Sequence, residues 1–176
     1  ATDSMVAHYT ANNKPRSSDS YSPGGKAGFR PDRALITYCT KIREFSKKPL
    51  IIGGIEASLR RLGHYDYWSN TVKHSILLDT KADLLIYGMG ERAILEIAKR
   101  LSTNSLPEQL SNHPLLRGIP GTCWRTGKQS ELPVEALILP SFDQIRSDSR
   151  AFDKHFVLQE TNTDPINASV LIEQSE

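Results

Sequence analysis

The stretch LIIGGIEASLRR, residues 50–61, decides the fold that we predict for this chain. It opens with three apolar residues, which is typical of a short strand that is buried on both faces. Gly53 and Gly54 then make a turn, and residues 55–62 read as a short helix ended by Gly63. A strand, a glycine turn and a helix in succession form the repeating unit of a parallel α/β sheet.

The same order recurs in LLIYGMGERA, residues 84–93. The apolar residues 84–87 predict a strand closed by Gly88, and an amphipathic helix follows from Glu91 to Leu101. The run from Ile76 to Leu78 is predicted as a further strand. Because the strands are apolar throughout and helices follow the glycine turns, the pattern predicts an α/β class, a Rossmann-like three-layer fold around a parallel sheet.

A helix is also predicted before the first of these strands. Asp32 follows Pro31 and has the side chain of a helix N-cap, and Pro49 ends the helix. Its apolar face is formed by Leu35, Cys39, Ile42 and Phe45. A strand should precede this helix, but residues 1–31 contain none that is convincing. We therefore expect that the chain, which opens at Ala1, was cut from a longer protein and lacks its opening strand.

Three regions differ in composition. Residues 1–31 are rich in Pro, Gly and Ser and locally basic, and they read as an irregular arm that is either functional or solvated and flexible. Residues 32–142 form the predicted Rossmann-like domain, with a small hairpin over 119–132 and one more strand over 136–139. Residues 143–176 read as a C-terminal helix and linker. The helix itself is predicted from apolar residues that recur at a spacing near 3.5: Phe142, Ile145, Phe152 and Phe156.

Charge and cysteine content exclude several classes of protein. The 176 residues include 22 Lys and Arg and 20 Asp and Glu, so no strong nucleic-acid signal is present. Neither a membrane span nor a signal peptide is predicted. Cys39 and Cys123 are the two cysteines, which fits a reducing compartment, and we expect a cytoplasmic location.

The two glycine turns are the first candidate site. In open α/β sheets ligands bind beyond the carboxyl ends of the strands, where such turns lie. Glu56 and Glu91 each stand at the helix start that follows, so a shared crevice would offer two carboxylates to a cation or to hydroxyl groups. In the alternative, each Glu is only a favourable first-turn residue and Glu56 pairs with Arg60 four residues on. A phosphate is disfavoured beside Glu56, and the spacing does not match the G-x-G-x-x-G template.

The segment GHYDYWS, residues 63–69, is the second candidate. It packs an imidazole, a carboxylate and three aromatic rings together, which suits a surface that stacks on a ring or docks another domain. In the alternative, these aromatics fill the edge of the core. The five histidines show no paired metal-ligand spacing, and Cys39 reads as a core residue, so no metal site is predicted.

Taken together, these segments resemble the YgiQ-type radical SAM proteins. The resemblance is strongest over residues 53–61 and 64–69. It extends to residues 3–5, 9–10, 21, 23–25, 28, 30–34, 82–83, 87–88, 90–92 and 139–142. A weaker likeness extends to radical SAM enzymes with a cobalamin-binding N-terminal domain. The resemblance covers nearly the whole chain, but only the N-terminal portion of such a protein.

The resemblance implies a [4Fe–4S] cluster and S-adenosylmethionine in the full-length protein, which would be a radical SAM enzyme. This chain has no Cys-x3-Cys-x2-Cys motif, so we expect it to hold neither and not to be catalytic alone. It also lacks the Asp-x-His-x-x-Gly motif that binds base-off cobalamin, so cobalamin is not expected. The expected partner is the radical SAM core of the same polypeptide, and the substrate is unknown.

Three functions follow as hypotheses. The first is a Rossmann-like domain that packs on the missing core and shapes its active site. The others are a docking module without a ligand site and a stand-alone nucleotide-binding domain. No catalytic residue is predicted. The residues expected to bind a ligand or to face the core are Gly53, Gly54, Glu56, Ser58, Arg60, Arg61, His64, Tyr65, Asp66, Tyr67, Trp68, Gly88, Gly90, Glu91 and Arg92.

Overall fold

A computed structural model describes residues 2–102, 114–127, 135–163 and 167–175. The chain divides into two compact units, one built from residues 1–61 and 76–125 and the other from residues 62–75 and 126–176. In chain order the helices are α1 (Ser4–His8), α2 (Ala34–Phe45), α3 (Ile55–Leu59), α4 (Ile76–Asp79), α5 (Glu91–Ser102), α6 (Phe142–Ser147) and α7 (Ser149–Thr161). The strands are β1 (Ile51–Ile52), β2 (His64–Asp66), β3 (Thr71–Lys73), β4 (Leu84–Ile86), β5 (Thr122–Cys123), β6 (Leu137–Ile138) and β7 (Leu171–Ile172).

The first unit is organised around the central strand β4. Its neighbours are β1, which runs parallel to it, and β5, which runs antiparallel, in the order β1-β4-β5. All three residues of β4 are buried. Leu85 packs in a cluster with Cys39 and Ala57, whereas Leu84 and Ile86 pack in a second cluster with Ile97. Because successive side chains of a strand point to opposite faces, helices cover this sheet on both sides.

This arrangement confirms the predicted α/β, Rossmann-like fold, with two differences in the strands. The antiparallel strand β5 makes the sheet mixed rather than wholly parallel. Residues 76–78, predicted as a strand, begin helix α4 instead. A three-residue apolar run does not distinguish the two states, and here one helical turn suffices to bury both Ile76 and Leu77 in the core.

The prediction for helix α2 needs two corrections. Its N-cap is Arg33, with φ 48°, and not Asp32, whose carboxylate binds the hydroxyl of Tyr9 at 2.7 Å and Nδ1 of His8 at 2.8 Å. Its apolar face is also only partly covered: Cys39 is buried, but Phe45 is 88% exposed.

The arm of residues 1–31 holds a buried ion pair. Nε and Nη2 of Arg30 donate to the Asp19 carboxylate at 2.6 and 2.8 Å, and the Ser22 hydroxyl and the Tyr21 N–H donate to it as well. The Arg30 guanidinium holds the pKa of Asp19 well below its ordinary value. Burial opposes this shift, and the Tyr21 and Ser22 hydrogen bonds reinforce it.

The second unit combines a hairpin, two helices and a strand pair. Strands β2 and β3 are antiparallel, and β6 and β7 are parallel. The His74 ring stacks on Phe142, with centroids 3.4 Å apart. Glu173, after β7, accepts a hydrogen bond from the Gly63 N–H at 2.7 Å and lies 2.7 Å from Nε2 of the buried His155. The hairpin is thereby fastened to the C-terminal end of the chain.

The single C-terminal helix predicted from Phe142 is two helices. They are separated by Asp148, which has extended φ and ψ and caps α7 through the Arg150 N–H, while Ser141 and Gln144 form a capping box on α6. The strand predicted over 136–139 is present as β6. The predicted hairpin over 119–132 is described only up to residue 127. Its first half contains β5, which pairs with β4, and its second half lies outside the described residues. Within the described ranges, no helix is long and apolar enough to traverse a bilayer.

The Asp19 ion pair predicts acid-sensitive folding. The pKa of Asp19 is lower in the folded state than its ordinary 3.8, so its contribution to stability is fully present above that pH. It is lost progressively as the pH falls below about 4, where the unfolded state takes up the proton first. We expect Asp19→Asn to destabilise the protein at pH 7, and by progressively less as the pH is lowered from 4, measured by urea unfolding. The control Asp153→Asn, at an exposed position, should show no such convergence; a pH-independent Asp19→Asn effect would contradict the assignment.

Candidate functional site

The two glycine turns lie at one edge of the sheet, the edge formed by the carboxyl ends of β1 and β4. β1 and β4 are parallel neighbours, so the turns that follow them emerge side by side. Gly53 lies directly against β4, because a Cβ at this position would be 3.3 Å from the Ile86 carbonyl oxygen. The Gly88 N–H donates to the Ser58 hydroxyl at 3.1 Å. The structure therefore brings together the two turns that the sequence singled out.

Ser58 connects the two turns through a single hydroxyl. It donates to the Gly54 carbonyl at 2.8 Å and accepts the Gly88 N–H. Gly54 itself has φ +88°, a backbone conformation that L side chains rarely adopt, and it stands at the N-cap of α3. The position thus requires glycine for its backbone conformation alone.

Glu56 fastens the N-terminal segment to this edge. Its carboxylate is buried and accepts the Ser4 N–H at 3.0 Å and the Leu35 N–H at 3.3 Å. The Ser4 hydroxyl in turn accepts the Ala34 N–H at 3.0 Å. Two of the four backbone N–H groups left free at the start of α2 are therefore satisfied from α3 and from α1.

Arg60 also attaches the N-terminal segment, through a buried ion pair with Asp3. The Asp3 carboxylate also accepts the Met5 and Val6 N–H groups, so it caps α1. Glu56 and Arg60, four residues apart, thus each bind the N-terminal segment. Because removing one partner of a buried ion pair leaves an uncompensated charge, this junction is costly to break.

The second acidic residue has a different environment. Glu91 and Arg92 are exposed at the start of α5, and the Gly90 carbonyl accepts the Ile94 N–H at 2.9 Å. Of the two glutamates expected at a shared crevice, Glu91 faces solvent, whereas the Glu56 carboxylate is occupied by Ser4 and Leu35. Exposed Glu91 therefore lies next to exposed Arg92, and the hydrogen-bonded Glu56 carboxylate is not available to form a pair of carboxylates with Glu91 around a cation.

Three apolar side chains stand exposed around the turns. Ile55 and Leu59, one helical turn apart on α3, are 52% and 62% exposed, and Met89, between Gly88 and Gly90, is 87% exposed. We call these three residues the apolar rim. Exposed apolar side chains gathered at one place are typical of a surface that another protein or domain covers.

Arg61 and Tyr87 lie at the same edge. The Arg61 guanidinium is 5.1 Å from the centre of the Tyr87 ring, and it also donates to the Ser58 carbonyl at 2.8 Å. Burial, together with the nearby Cys123, raises the pKa of Tyr87, and Arg61 opposes this shift. Tyr87 is therefore a neutral ring that supports a cation, a contact that fixes Arg61 in place.

The segment GHYDYWS contains strand β2 and most of the turn that leads to β3 in the second unit. The buried Asp66 carboxylate accepts the Ser69 N–H at 3.3 Å and the Ser69 hydroxyl, which shapes the turn. His64 contacts the Leu62 carbonyl through Nδ1 at 3.1 Å. Tyr65 and Tyr67 are each about half exposed, and the Tyr67 ring meets the Trp68 ring edge to face at 5.8 Å. Both tyrosines of the hairpin are therefore accessible at the surface of the second unit.

Sequence reasoning missed Asp3 and Ser4, the partners of Arg60 and Glu56. The pattern of Asp3 before Ser-Met-Val is an N-cap signal and could have indicated helix α1. Nothing in the spacing could have indicated that the two residues also bind side chains 52 and 57 positions away. That the fifteen selected residues bind a ligand or face a catalytic core stays a prediction.

The described residues contain no group of three or more His, Cys, Asp or Glu side chains placed to hold a metal ion. Cys39 is buried, and burial raises the pKa of its thiol, which disfavours the thiolate that iron binding requires. The residues described here therefore do not fit a [4Fe–4S] cluster.

Glu56→Gln should destabilise the protein by about 1–3 kcal/mol, because the carboxamide presents a donor to one of two buried N–H groups. Residues 2–31 should then become more sensitive to protease. The matched control is Glu91→Gln, which alters the exposed glutamate of the equivalent turn and should cost less than about 1 kcal/mol. Urea unfolding and limited proteolysis measure both effects; equal losses in the two variants would contradict the role given to Glu56.

Comparison with known proteins identifies the chain. Residues 1–176 match the family model described as Radical SAM N-terminal. The chain is 46% identical over 173 residues to a UPF0313 protein of Clostridium perfringens and 44% identical over 173 residues to a UPF0313 protein of Clostridium botulinum. These alignments cover 98% of this chain but 25% and 26% of the relatives, so it spans about a quarter of their length. No solved structure matches it. The matches confirm the predicted resemblance to the N-terminal region of YgiQ-type radical SAM proteins, and the chain belongs to the Radical SAM N-terminal family.

Proposed function

We propose that this chain is the non-catalytic N-terminal part of a radical SAM protein, and that its apolar rim packs against the catalytic core and shapes one wall of the active site. The observation that carries the proposal is the exposure of Ile55, Leu59 and Met89 at the sheet edge. This is the edge at which open α/β sheets present their ligand sites. Apolar side chains there favour contact with protein, and the adjoining Glu91 and Arg92 supply polar groups at the border of the contact.

The stiffness of this edge supports the same role. Ser58 joins the two turns, Glu56 and Arg60 hold the N-terminal segment, and Arg61 rests on Tyr87. A surface held in one conformation before contact loses little conformational entropy when it is covered. The rim is therefore suited to position a neighbouring active site reproducibly.

The cofactors belong to the rest of the polypeptide under this proposal. The family implies a [4Fe–4S] cluster and S-adenosylmethionine, and a cluster supplies one-electron chemistry to the cofactor that it binds. Since the residues described here do not fit a cluster, this chain contributes packing, a fixed wall and polar border groups.

A docking module without any ligand contact is the second candidate. It is favoured by the Glu56 carboxylate, which is satisfied inside the protein, and by the short helix α3, whose five residues leave little dipole for an anion. The half-exposed Tyr65 and Tyr67 supply a further surface for docking. In this case the rim would affect the attachment of the core but not its substrate.

The test uses the full-length protein with its cluster reconstituted. Leu59→Asp places a charge in the rim and should lower the rate of S-adenosylmethionine cleavage at least about 10-fold, because burying an unpaired carboxylate costs several kcal/mol. The iron content should equal that of the parent. The free energy of unfolding of this region should stay within about 1 kcal/mol of the parent value. The control Val157→Asp alters a comparably exposed apolar residue on α7 and should leave turnover unchanged.

The two candidates differ in the parameter that changes. If the rim shapes the site, Glu91→Gln and Leu59→Asp alter the KM for substrate or the ratio of substrate turnover to uncoupled cleavage. If the rim only docks, Leu59→Asp weakens attachment of the core, seen as faster proteolysis between the two parts, and Glu91→Gln has no effect. Parental turnover and parental protease resistance in Leu59→Asp would refute contact of the rim with the core.

A further inference from the structure

The strand pair β6–β7 of the second unit is incomplete as a sheet. It consists of two residues from each strand, running parallel, with Leu137 opposite Leu171 and Ile138 opposite Ile172. Parallel strands are found in wider sheets that are covered on both faces, because the parallel pairing is the weaker one. Here Ile138 is 74% exposed. Such a pair is expected to be extended or covered.

The outer edge of β6 has free backbone groups. The Leu137 N–H donates to the Val170 carbonyl, just before β7, at 2.9 Å. The Leu139 N–H donates to the Ile172 carbonyl of β7 at 2.8 Å. Alternation along a strand therefore directs the N–H and the carbonyl of Ile138 to the opposite side. Within the part of the chain that the structure describes, no strand pairs with β6 on that side.

A groove of about 530 Å³ has Ile138 of β6 in its lining. Ile138 and Pro140 form one wall, and Ala151, Arg150 and Lys154 of α7 are among the residues that line it. Arg150 and Lys154 are exposed and one helical turn apart, so they give the groove two positive charges. Asp148 also lines it and caps α7 by accepting the Arg150 N–H at 2.9 Å, so the three charged residues of the lining leave the groove with one net positive charge.

We propose that an extended, acidic segment of the same polypeptide, outside the residues of this chain, binds in this groove as a third strand on the outer edge of β6. Its backbone would bond the N–H and carbonyl of Ile138, its apolar side chains would cover Ile138 and Ala151, and a carboxylate would meet Arg150 and Lys154. The inference rests on the proposed function, because the occupant comes from the larger radical SAM protein.

The same polypeptide is favoured over a second copy of the chain. The relatives are about four times as long as this chain, so three quarters of such a protein is available to supply the strand. A strand tethered to this unit binds at a high effective concentration, which a two-residue edge needs. Self-pairing of β6 edges would instead bring two basic grooves together, and like charges repel.

The test is hydrogen exchange of single backbone amides in the full-length protein. The Ile138 amide should exchange at least about 100-fold more slowly than its intrinsic rate, independently of protein concentration, since its N–H is bonded to the added strand. The Leu137 and Leu139 amides, bonded within the pair, are the internal references. Reversing both charges, with Arg150→Glu and Lys154→Glu together, should bring the Ile138 amide to within about 10-fold of its intrinsic rate, while the references stay protected.

The control is Arg146→Glu, an exposed charge on α6 that does not line the groove, and it should leave the Ile138 amide slow. An Ile138 amide that exchanges freely in the full-length parent would overturn the proposal. Protection that appears only at high protein concentration would assign the groove to a second copy and overturn it as well. Neither result depends on the rim, because rim contact with the core is measured separately by the Leu59→Asp variant.

Discussion

The hydrogen bonds of the buried Glu56 carboxylate hold the N-terminal segment of the first unit in place. Its two oxygens accept N–H groups from Ser4 and from Leu35, so a five-residue helix after the first strand holds the starts of two other helices. Arg60 adds a second attachment through Asp3. A buried charge is costly unless it is paired or hydrogen-bonded. The charges of Glu56 and Arg60 are satisfied by partners inside the protein. Ile55 and Leu59 stay exposed on the same helix and belong, with Met89, to the apolar rim.

Strand β4 determines where this network meets the second turn. Leu85 packs to one face of the sheet and Leu84 and Ile86 to the other, so the strand is enclosed by helices and its carboxyl end is the part that reaches the surface. The parallel alignment with β1 then sets Gly53 and Gly88 side by side. The topology of the first unit therefore places the two glycine turns together, and it also places Glu56 where its carboxylate binds Ser4 and Leu35.

Much of this fold could be predicted from the sequence, and the limits have physical causes. Apolar strands closed by glycine turns are local patterns, and both turns lie where they were predicted. Residues 76–78 were assigned to a strand because three apolar residues carry no periodicity. The contact of Glu56 with Ser4 joins residues 52 positions apart, which no local pattern encodes. The exposed Phe45 was placed on a core face because its spacing is helical, but spacing does not reveal how much of a face this chain covers.

The hydrogen bond from the Gly63 N–H to Glu173 has a consequence for biosynthesis. The two residues are 110 positions apart, so at a ribosomal rate of about 5–20 residues per second the hairpin β2–β3 waits roughly 5–20 seconds for its acceptor. The helices α6 and α7 of the same unit are synthesised in the later part of that interval. The hairpin therefore gains its hydrogen bond to Glu173 only after nearly the whole of its unit has been synthesised.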